Sequence, residues 1–184
     1  MYRKRLNTYR QIGFEICSTP SESIAAKDTI YNGSSFRKAF TDDICSAKRN
    51  AIIFSPYLSG KILTDFISAS SEALQRGTVI QIVTLCAEKM DMEYADAQKR
   101  KIISLRKNGY IVSVTENMRF DCNYAIIDQS IVWYGDFSLL SKGDEDNDII
   151  RFIDSNAASS LLQSAMRAAG IRSKTHALQT RLDI

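Results

Sequence analysis

The chain has 184 residues, of which 45% are hydrophobic and 24% are charged. These values are ordinary for a soluble globular protein, and the length suffices for a single α/β domain with its own core. No apolar run approaches the ~20 residues that a membrane helix needs, and the basic N-terminus lacks the apolar segment of a secretory signal. We therefore expect a cytoplasmic protein without membrane contact.

The net charge of +3 is unevenly distributed along the chain. Lysine and arginine crowd the first ten residues and recur near the C-terminus, whereas residues 144–148 form an acidic patch. Basic chain ends suit contacts with nucleic acid phosphates. With so small a net charge, solvated and frayed termini explain them slightly better.

The cysteines and the single histidine do not form a metal-binding pattern. They are Cys17, Cys45, Cys86, Cys122 and His176. Because no Cys-x-x-Cys pair occurs and no cysteine lies near the histidine, we predict no zinc site, and we predict no cofactor. Cys45 and Cys86 fall inside apolar segments and are predicted to be buried thiols. Free, reduced cysteines fit a cytosolic protein.

The sequence divides into three regions. Residues 1–27 carry some apolar residues at helical spacing, but glycine, proline and serine break the pattern, so an N-terminal extension and connector are predicted. Residues 28–170 carry the alternating helices and strands of one domain, and residues 171–184 form a C-terminal tail.

Helices and strands are predicted from apolar periodicity between capping and stop signals. The predicted helices are residues 34–48, 61–75, 92–107 and 156–169. The predicted strands are residues 51–55, 79–85, 110–115, 119–127, 131–134 and 149–153. Their alternation predicts an α/β fold with a mixed β-sheet flanked by helices on both faces.

The most informative segment begins at Asp121 and ends at Ser138. It consists of two predicted strands, joined by a tight turn, with polar or small residues before the first strand and after the second. The positions whose spacing matters are Asp121, Asn123, Asp128, Gly135, Asp136 and Ser138.

A regular strand would place Asp121 and Asn123 on one face and Cys122 and Asp128 on the other. Asp128 is therefore predicted to be structural, closing the turn that follows it by a side-chain hydrogen bond.

This spacing resembles the phospholipase D superfamily, whose signature is His-x-Lys-x4-Asp followed shortly by Gly-Ser-x-Asn. Asp128 and Gly135 keep the family's residues, and the resemblance covers roughly residues 28–165. The surrounding sequence is similar to the single-motif phospholipase D-like domains of bacteria. Some of these domains form the C-terminal end of helicase-like proteins. The flanking segments that fit are 29–33, 52–57, 125–127, 131–134 and 139–141. The resemblance implies the fold of the superfamily's half-unit.

The reactive positions of the motif are replaced in this chain, so the motif is degenerate. Asp121 stands at the histidine position, Asn123 at the lysine, Asp136 at the serine and Ser138 at the asparagine. In the family, one histidine attacks phosphorus, a second protonates the leaving oxygen, and lysine and asparagine hold the phosphate. The only histidine here, His176, lies in the tail, so the motif cannot supply that nucleophile.

The replacements also change the charge of the site, by about −3 if both aspartates are ionised. Two unit charges ~4 Å apart interact by roughly 4 kcal/mol at an effective dielectric near 20. Such a pocket should repel a phosphodiester. Two carboxylates without a recognisable loop pattern are weak evidence for a divalent cation.

The family builds a working site from two motifs, and its single-motif members form homodimers with the site at the interface. The resemblance therefore implies a symmetric homodimer through the motif face, with an isologous interface near Asp121 and Asp136. Two acidic pockets facing each other oppose that arrangement unless they are spread apart, protonated or bridged by a cation.

These observations predict a catalytically degenerate phospholipase D-like domain that binds DNA or RNA, or serves as an accessory module in nucleic-acid processing. A helicase-like protein is one candidate partner. The candidate nucleic-acid contacts are Arg119, Lys142 and Arg151. The alternative is an active phosphodiesterase or nuclease with altered site residues, in which Asp121 replaces the nucleophile. Lipid hydrolysis is disfavoured, because no membrane-binding amphipathic segment is present.

Overall fold

The computed structural model describes the backbone of residues 15–17 and the whole of residues 29–143 and 146–171. Of the predicted N-terminal extension the structure describes only the backbone of residues 15–17, which forms a strand, and of the predicted C-terminal tail only Ile171. The Cys17 thiol and His176 lie outside the described residues. No helix among the described residues is long and apolar enough to cross a membrane.

Among the described residues, eight strands form one mixed sheet in the order β1-β2-β8-β7-β6-β3-β4-β5. They are β1 Glu15–Cys17, β2 Thr29–Asn32, β3 Asn50–Phe54, β4 Val79–Leu85, β5 Ile111–Thr115, β6 Tyr124–Ile127, β7 Ile131–Gly135 and β8 Asp148–Ile153. Strands β3, β4 and β5 pair in parallel, as do β1 and β2. The pairs β3–β6, β6–β7, β7–β8 and β2–β8 are antiparallel. The predicted mixed sheet is confirmed.

Within the described part of the chain, four α-helices cover the two faces of the sheet. They are α1 Phe36–Ser46, α2 Gly60–Gln75, α3 Met92–Lys107 and α4 Ser155–Ala168, with a short 3-10 turn at Ala87–Lys89. Helices α1, α2 and α3 share one apolar core with the sheet. Helix α4 packs with aromatic and branched side chains of the opposite face. Helices on both faces are therefore confirmed.

The core of the first face is centred on Trp133, which is fully buried. The predicted apolar stripe of α1, Phe36, Phe40 and Ile44, is buried against it. The ring centroids of Phe40 and Trp133 lie 5.5 Å apart in an edge-on arrangement, a favourable geometry for aromatic pairs. This packing fixes α1 over β7.

Arg151 belongs to the same core, which corrects its assignment as a nucleic-acid contact. Its guanidinium Nε and Nη2 donate to the Asp43 carboxylate at 2.7 and 3.1 Å, and the residue is 6% exposed. The side chain leaves the sheet on the face covered by α1, so a phosphate in solvent does not reach it. Arg119 and Lys142 are exposed, as a surface contact requires.

The first motif strand is shorter than predicted, because β6 begins at Tyr124 rather than at residue 119. A turn built on Asn117 replaces the missing part. The Asn117 side chain accepts a hydrogen bond from the N–H of Arg119, and its backbone carbonyl accepts from the N–H of Phe120. Asparagine favours such local side-chain bonds over a strand ladder.

The two cysteines predicted to be buried differ. Cys86 is buried, at 9% exposure, whereas Cys45 is only partly buried. Cys45 follows the buried Ile44 on the flank of α1 that faces α2, and its thiol donates to the carbonyl of Ala69. The sequence correctly placed Cys45 in an apolar helix. However, it is the residue after the buried Ile44, and this rotation about the helix axis leaves its thiol partly exposed.

Candidate functional site

The replaced motif positions meet at one end of the central strands, where β3 and β7 end and β6 begins. Asn123 lies immediately before β6, and Gly135 is the last residue of β7. The Gly135 N–H donates to the Asn123 carbonyl at 2.8 Å, which holds the two ends side by side. Asp136 and Ser138 follow directly, so the antiparallel pairing of β6 and β7 assembles the site.

A chain of hydrogen bonds joins three of the motif positions. The Asn123 amide Nδ2 donates to Asp121 Oδ1 at 2.9 Å. The Ser138 hydroxyl donates to Asn123 Oδ1 at 3.3 Å and accepts from the Tyr57 N–H at 3.1 Å. The structure thus brings Asp121, Asn123 and Ser138 into contact with one another and with the loop after β3. We call this group, with Asp136, the candidate site.

The two acidic members of the candidate site face solvent. Asp121 and Asp136 are exposed, whereas Ser138 is buried at 5% exposure. The Asp136 backbone N–H donates to the Asp148 carbonyl at 3.3 Å. This hydrogen bond uses the backbone of Asp136 and does not involve its carboxylate. Negative charge is therefore presented at the rim of the site, and uncharged polar groups form its floor.

Gly135 is required by close packing. A Cβ atom at this position would lie 3.3 Å from Ile149 Cγ1, Leu139 Cδ2 and the Phe137 carbonyl oxygen. We expect Gly135→Ala to lower the free energy of unfolding by about 1–3 kcal/mol, since overpacking forces neighbouring atoms apart. Thermal unfolding followed by circular dichroism measures this. A Gly60→Ala control, whose Cβ would meet nothing within 4 Å, should leave the unfolding temperature close to that of the wild type.

Asp128 lies at the opposite end of β6 from the candidate site, about 16 Å from Asn123 along the strand at ~3.3 Å per residue. Its carboxylate accepts the backbone N–H groups of Lys48 and Arg49, both at 2.8 Å, and of Asn50 at 3.1 Å. The structural role is as predicted, but the predicted partner is wrong. The carboxylate fixes the loop between α1 and β3 rather than its own turn.

The pKa of Asp128 follows from these contacts. Desolvation raises the pKa, but the three backbone N–H donors lower it by more, so the net pKa lies below its usual value. The backbone of Asp128 also has a positive φ of 47°, a conformation that aspartate tolerates better than most residues.

The loop after β3 is held firmly beneath the candidate site. The Ser55 hydroxyl donates to the Tyr57 carbonyl at 2.9 Å and accepts from the Leu140 N–H at 3.0 Å. The Ser59 N–H donates to the Leu140 carbonyl at 2.8 Å. Tyr57 is therefore fixed in its backbone, although its side chain is 56% exposed.

A buried polar group supports the same loop from below. The Thr84 hydroxyl donates to the Pro56 carbonyl at 2.9 Å and accepts from the Gln98 amide at 2.9 Å. Gln98 is 3% exposed, although it lies on a highly charged helix. The sequence offered a signal for the bend, Pro56, but none for this support from α3.

The contacts of the site with the described residues do not include the cationic groups that a phosphodiesterase needs. Among residues 29–143 and 146–171, no lysine, arginine or histidine side chain bonds to Asp121, Asn123, Asp136 or Ser138. Within the same ranges, no group of three or more histidine, cysteine, aspartate or glutamate side chains is arranged to hold a metal ion.

Solved structures with a similar fold include two bacterial proteins, one of them a phospholipase D family member. Nuc from Salmonella typhimurium, a phospholipase D family member, aligns with a TM-score of 0.58 and 18% identity over 78% of this chain and 93% of its own. NucT from Helicobacter pylori aligns with a TM-score of 0.54 and 15% identity over 77% of this chain and 94% of its own.

An archaeal protein has a similar fold as well. TrmBL2, a chromatin protein with its own mode of DNA binding, aligns with a TM-score of 0.56 and 14% identity over 90% of this chain and 57% of its own. No family sequence model matches the chain, and no curated protein sequence matches it. At these identities the likeness concerns the fold.

Proposed function

We propose that this chain, which has a phospholipase D-like fold, binds nucleic acid without cleaving it. The observation that carries this proposal is the candidate site itself. Asp121, Asn123 and Ser138 bond to one another where the family's reactive groups would stand. Cleavage of a phosphodiester needs a nucleophile, a proton donor and positive charge at the phosphate, and these side chains supply no donor acid or cation.

Nucleic acid is the ligand class that best fits the fold and its neighbours. TrmBL2 binds DNA, and 57% of its chain aligns with the fold of this one. Exposed Arg119 lies two residues before Asp121, and exposed Lys142 lies four residues after Ser138. Both therefore flank the candidate site in the chain. We also propose that the chain acts as an accessory module of a helicase-like protein.

Binding to DNA and RNA tests the proposal directly. Fluorescence anisotropy with labelled single-stranded DNA, duplex DNA and single-stranded RNA should show binding at low salt. The affinity should fall steeply between about 50 and 200 mM salt, because phosphate contacts release counterions. If none of the three nucleic acids binds at low salt, the proposal is wrong.

The acidic rim should weaken this binding. We expect Asp136→Asn to strengthen nucleic acid binding several-fold at low salt and to have little effect at about 0.5 M salt, where exposed charges are screened. The control is Glu72→Gln, which removes an exposed carboxylate from the far end of α2. Equal gains from both variants would show that net charge, and not the candidate site, determines the effect.

A second candidate function is an active phosphodiesterase, favoured by one observation. The Asp121 carboxylate stands at the nucleophile position and is oriented by the Asn123 amide at 2.9 Å. Carboxylates form acyl phosphates in other enzymes. This function predicts multiple turnover on DNA, RNA or a simple diester, abolished in Asp121→Ala and kept in Glu72→Gln. Absence of turnover with and without Mg²⁺ would count against it.

The symmetric homodimer through the motif face also remains a proposal. Sedimentation equilibrium of the whole chain measures it. Dimerisation that strengthens in Asp136→Asn would support an interface at the candidate site, because the substitution removes like charge from both copies. A monomer at high concentration in both proteins would contradict it.

A further inference from the structure

A basic cleft of about 290 Å³ lies between α2 and α3. Two cations, Arg100 and Lys101, and two hydroxyls, Thr64 and Ser104, line it together with aliphatic side chains. No carboxylate of the described residues forms an ion pair with Arg100 or Lys101. The Thr64 hydroxyl donates to the Gly60 carbonyl at 3.0 Å, so Ser104 is the hydroxyl that can donate to a ligand. The cleft therefore combines unbalanced positive charge with one hydroxyl donor, groups that bind an anion. We call it the basic cleft.

Lys101 is held at the floor of this cleft. Its ammonium donates to the Leu58 carbonyl at 2.5 Å, and the side chain is only partly exposed. Desolvation, and then the like charge of Arg100, lower the pKa of Lys101. An anion in the cleft would offset both effects, because an opposite charge favours the protonated amine.

The basic cleft adjoins the candidate site through one short stretch of chain. Leu58, which accepts from Lys101, follows Tyr57, whose N–H donates to Ser138. The Tyr57 side chain is 56% exposed although its backbone is fixed on both sides. Tyr57 precedes Gly60, the first residue of the cleft lining, by three positions. Proteins bind single-stranded nucleic acid with exposed aromatic rings and cationic grooves, stacking the bases and pairing the phosphates with cations.

We propose that the basic cleft holds a backbone phosphate of a single-stranded nucleic acid and that a base of the same strand stacks on Tyr57. This inference rests on the proposed function and names its ligand. It places the phosphate away from the acidic rim, at Arg100 and Lys101, which explains how a site with Asp121 and Asp136 belongs to a nucleic-acid-binding protein. A duplex has no unstacked base to offer, so single strands should bind more tightly.

The test of stacking uses Tyr57→Ala and Tyr57→Phe. Anisotropy with a labelled single-stranded oligonucleotide should show affinity reduced roughly 5- to 100-fold by Tyr57→Ala and retained by Tyr57→Phe, which keeps the ring. Duplex binding should change little in either variant. Equal reductions in both variants, or equal reductions for single strand and duplex, would overturn stacking on Tyr57.

The test of the cleft uses Arg100→Gln and the double variant Arg100→Gln, Lys101→Gln. For a single strand, the slope of log affinity against log salt should become shallower by about 0.7 for each phosphate that no longer pairs with a cation. Lys107→Gln, an exposed cation at the far end of α3, is the matched control and should keep the wild-type slope. Circular dichroism of each variant verifies the fold, and Arg100→Gln alone leaves the hydrogen bond from Lys101 to Leu58 in place.

The outcomes separate this inference from the proposed function. If wild type binds nucleic acid but the Tyr57 and Arg100 variants bind equally well, the basic cleft is not the binding site and the proposed function stands. If wild type binds no nucleic acid, both fail.

Discussion

Replacing Asp43 by alanine is expected to lower the free energy of unfolding by about 3–5 kcal/mol, the usual cost of removing one partner of a buried ion pair. The Asp43 side chain is 18% exposed and that of Arg151 is 7% exposed. Both Arg151 and the indole Nε1 of Trp133 donate to this carboxylate, the latter at 2.8 Å. The alanine variant would therefore remove one acceptor from a buried cation and from a buried N–H.

Urea unfolding at neutral pH measures this effect, and the preceding residue provides a matched control. Asp42 pairs with Lys38 at 2.8 Å on the surface of α1, where both side chains are more than half exposed. Asp42→Ala should cost less than about 1 kcal/mol, as is typical of exposed pairs. If Asp43→Ala costs no more than Asp42→Ala, the pair that fixes α1 to the sheet contributes nothing to stability.

Replacing Asp128 by alanine is expected to cost about 2–3 kcal/mol, since three backbone N–H groups are deprived of a charged acceptor. Lys48 and Arg49 are exposed, so water replaces part of this hydrogen bonding. Asp128→Asn is the informative control, because asparagine tolerates the positive φ and keeps one acceptor oxygen while removing the charge. Its cost should be smaller than that of alanine.

The low pKa of Asp128 adds a pH dependence to the same prediction. A carboxylate whose pKa is lowered on folding stabilises the protein above its unfolded pKa of about 3.9, and this contribution is lost as the pH falls through the folded pKa. Wild-type stability should therefore decline below about pH 4 more steeply than that of Asp128→Asn. Parallel pH profiles of the two proteins, from urea unfolding between about pH 5 and pH 2, would contradict a charge-dependent role.

Local signals predicted the regular elements well. Helix α3 and strand β4 have the predicted bounds, Met92–Lys107 and Val79–Leu85. Gly77 and Gly109 have φ values of +92° and +90°, so glycine marks the helix stops for a conformational reason. Prediction failed at the turn built on Asn117, where side-chain bonds compete with the strand ladder, and the short strands β1 and β2 were not predicted.

Contacts between distant parts of the chain could not be predicted from these patterns. Asp128 bonds to residues 78 to 80 positions earlier, and Asp43 pairs with Arg151 across 108 positions. Neither pairing leaves a local periodicity, and the position of Arg151 in its strand does not reveal which face α1 covers. Burial of a charge depends on tertiary packing, which single-sequence patterns do not encode.

The candidate site was predicted in part. Family spacing indicated Asp121, Asn123 and Ser138 together, and the structure brings them into hydrogen-bond contact. The neighbouring Tyr57 and Lys101 were missed as functional residues, because they lie on other elements and match no part of the motif. The only local signal was Pro56, which follows the end of β3 and precedes the tyrosine whose N–H donates to Ser138.

The most direct test of binding without cleavage is the fate of a nucleic acid already bound. The wild-type chain, in excess over an end-labelled single-stranded oligonucleotide at low salt with Mg²⁺ or EDTA, is followed by anisotropy and then by a denaturing gel of the same sample. We predict a saturated complex in which the oligonucleotide stays intact over many hours. Shortened products from the bound strand, absent with Asp121→Ala, would contradict this account and make Asp121 a catalytic residue.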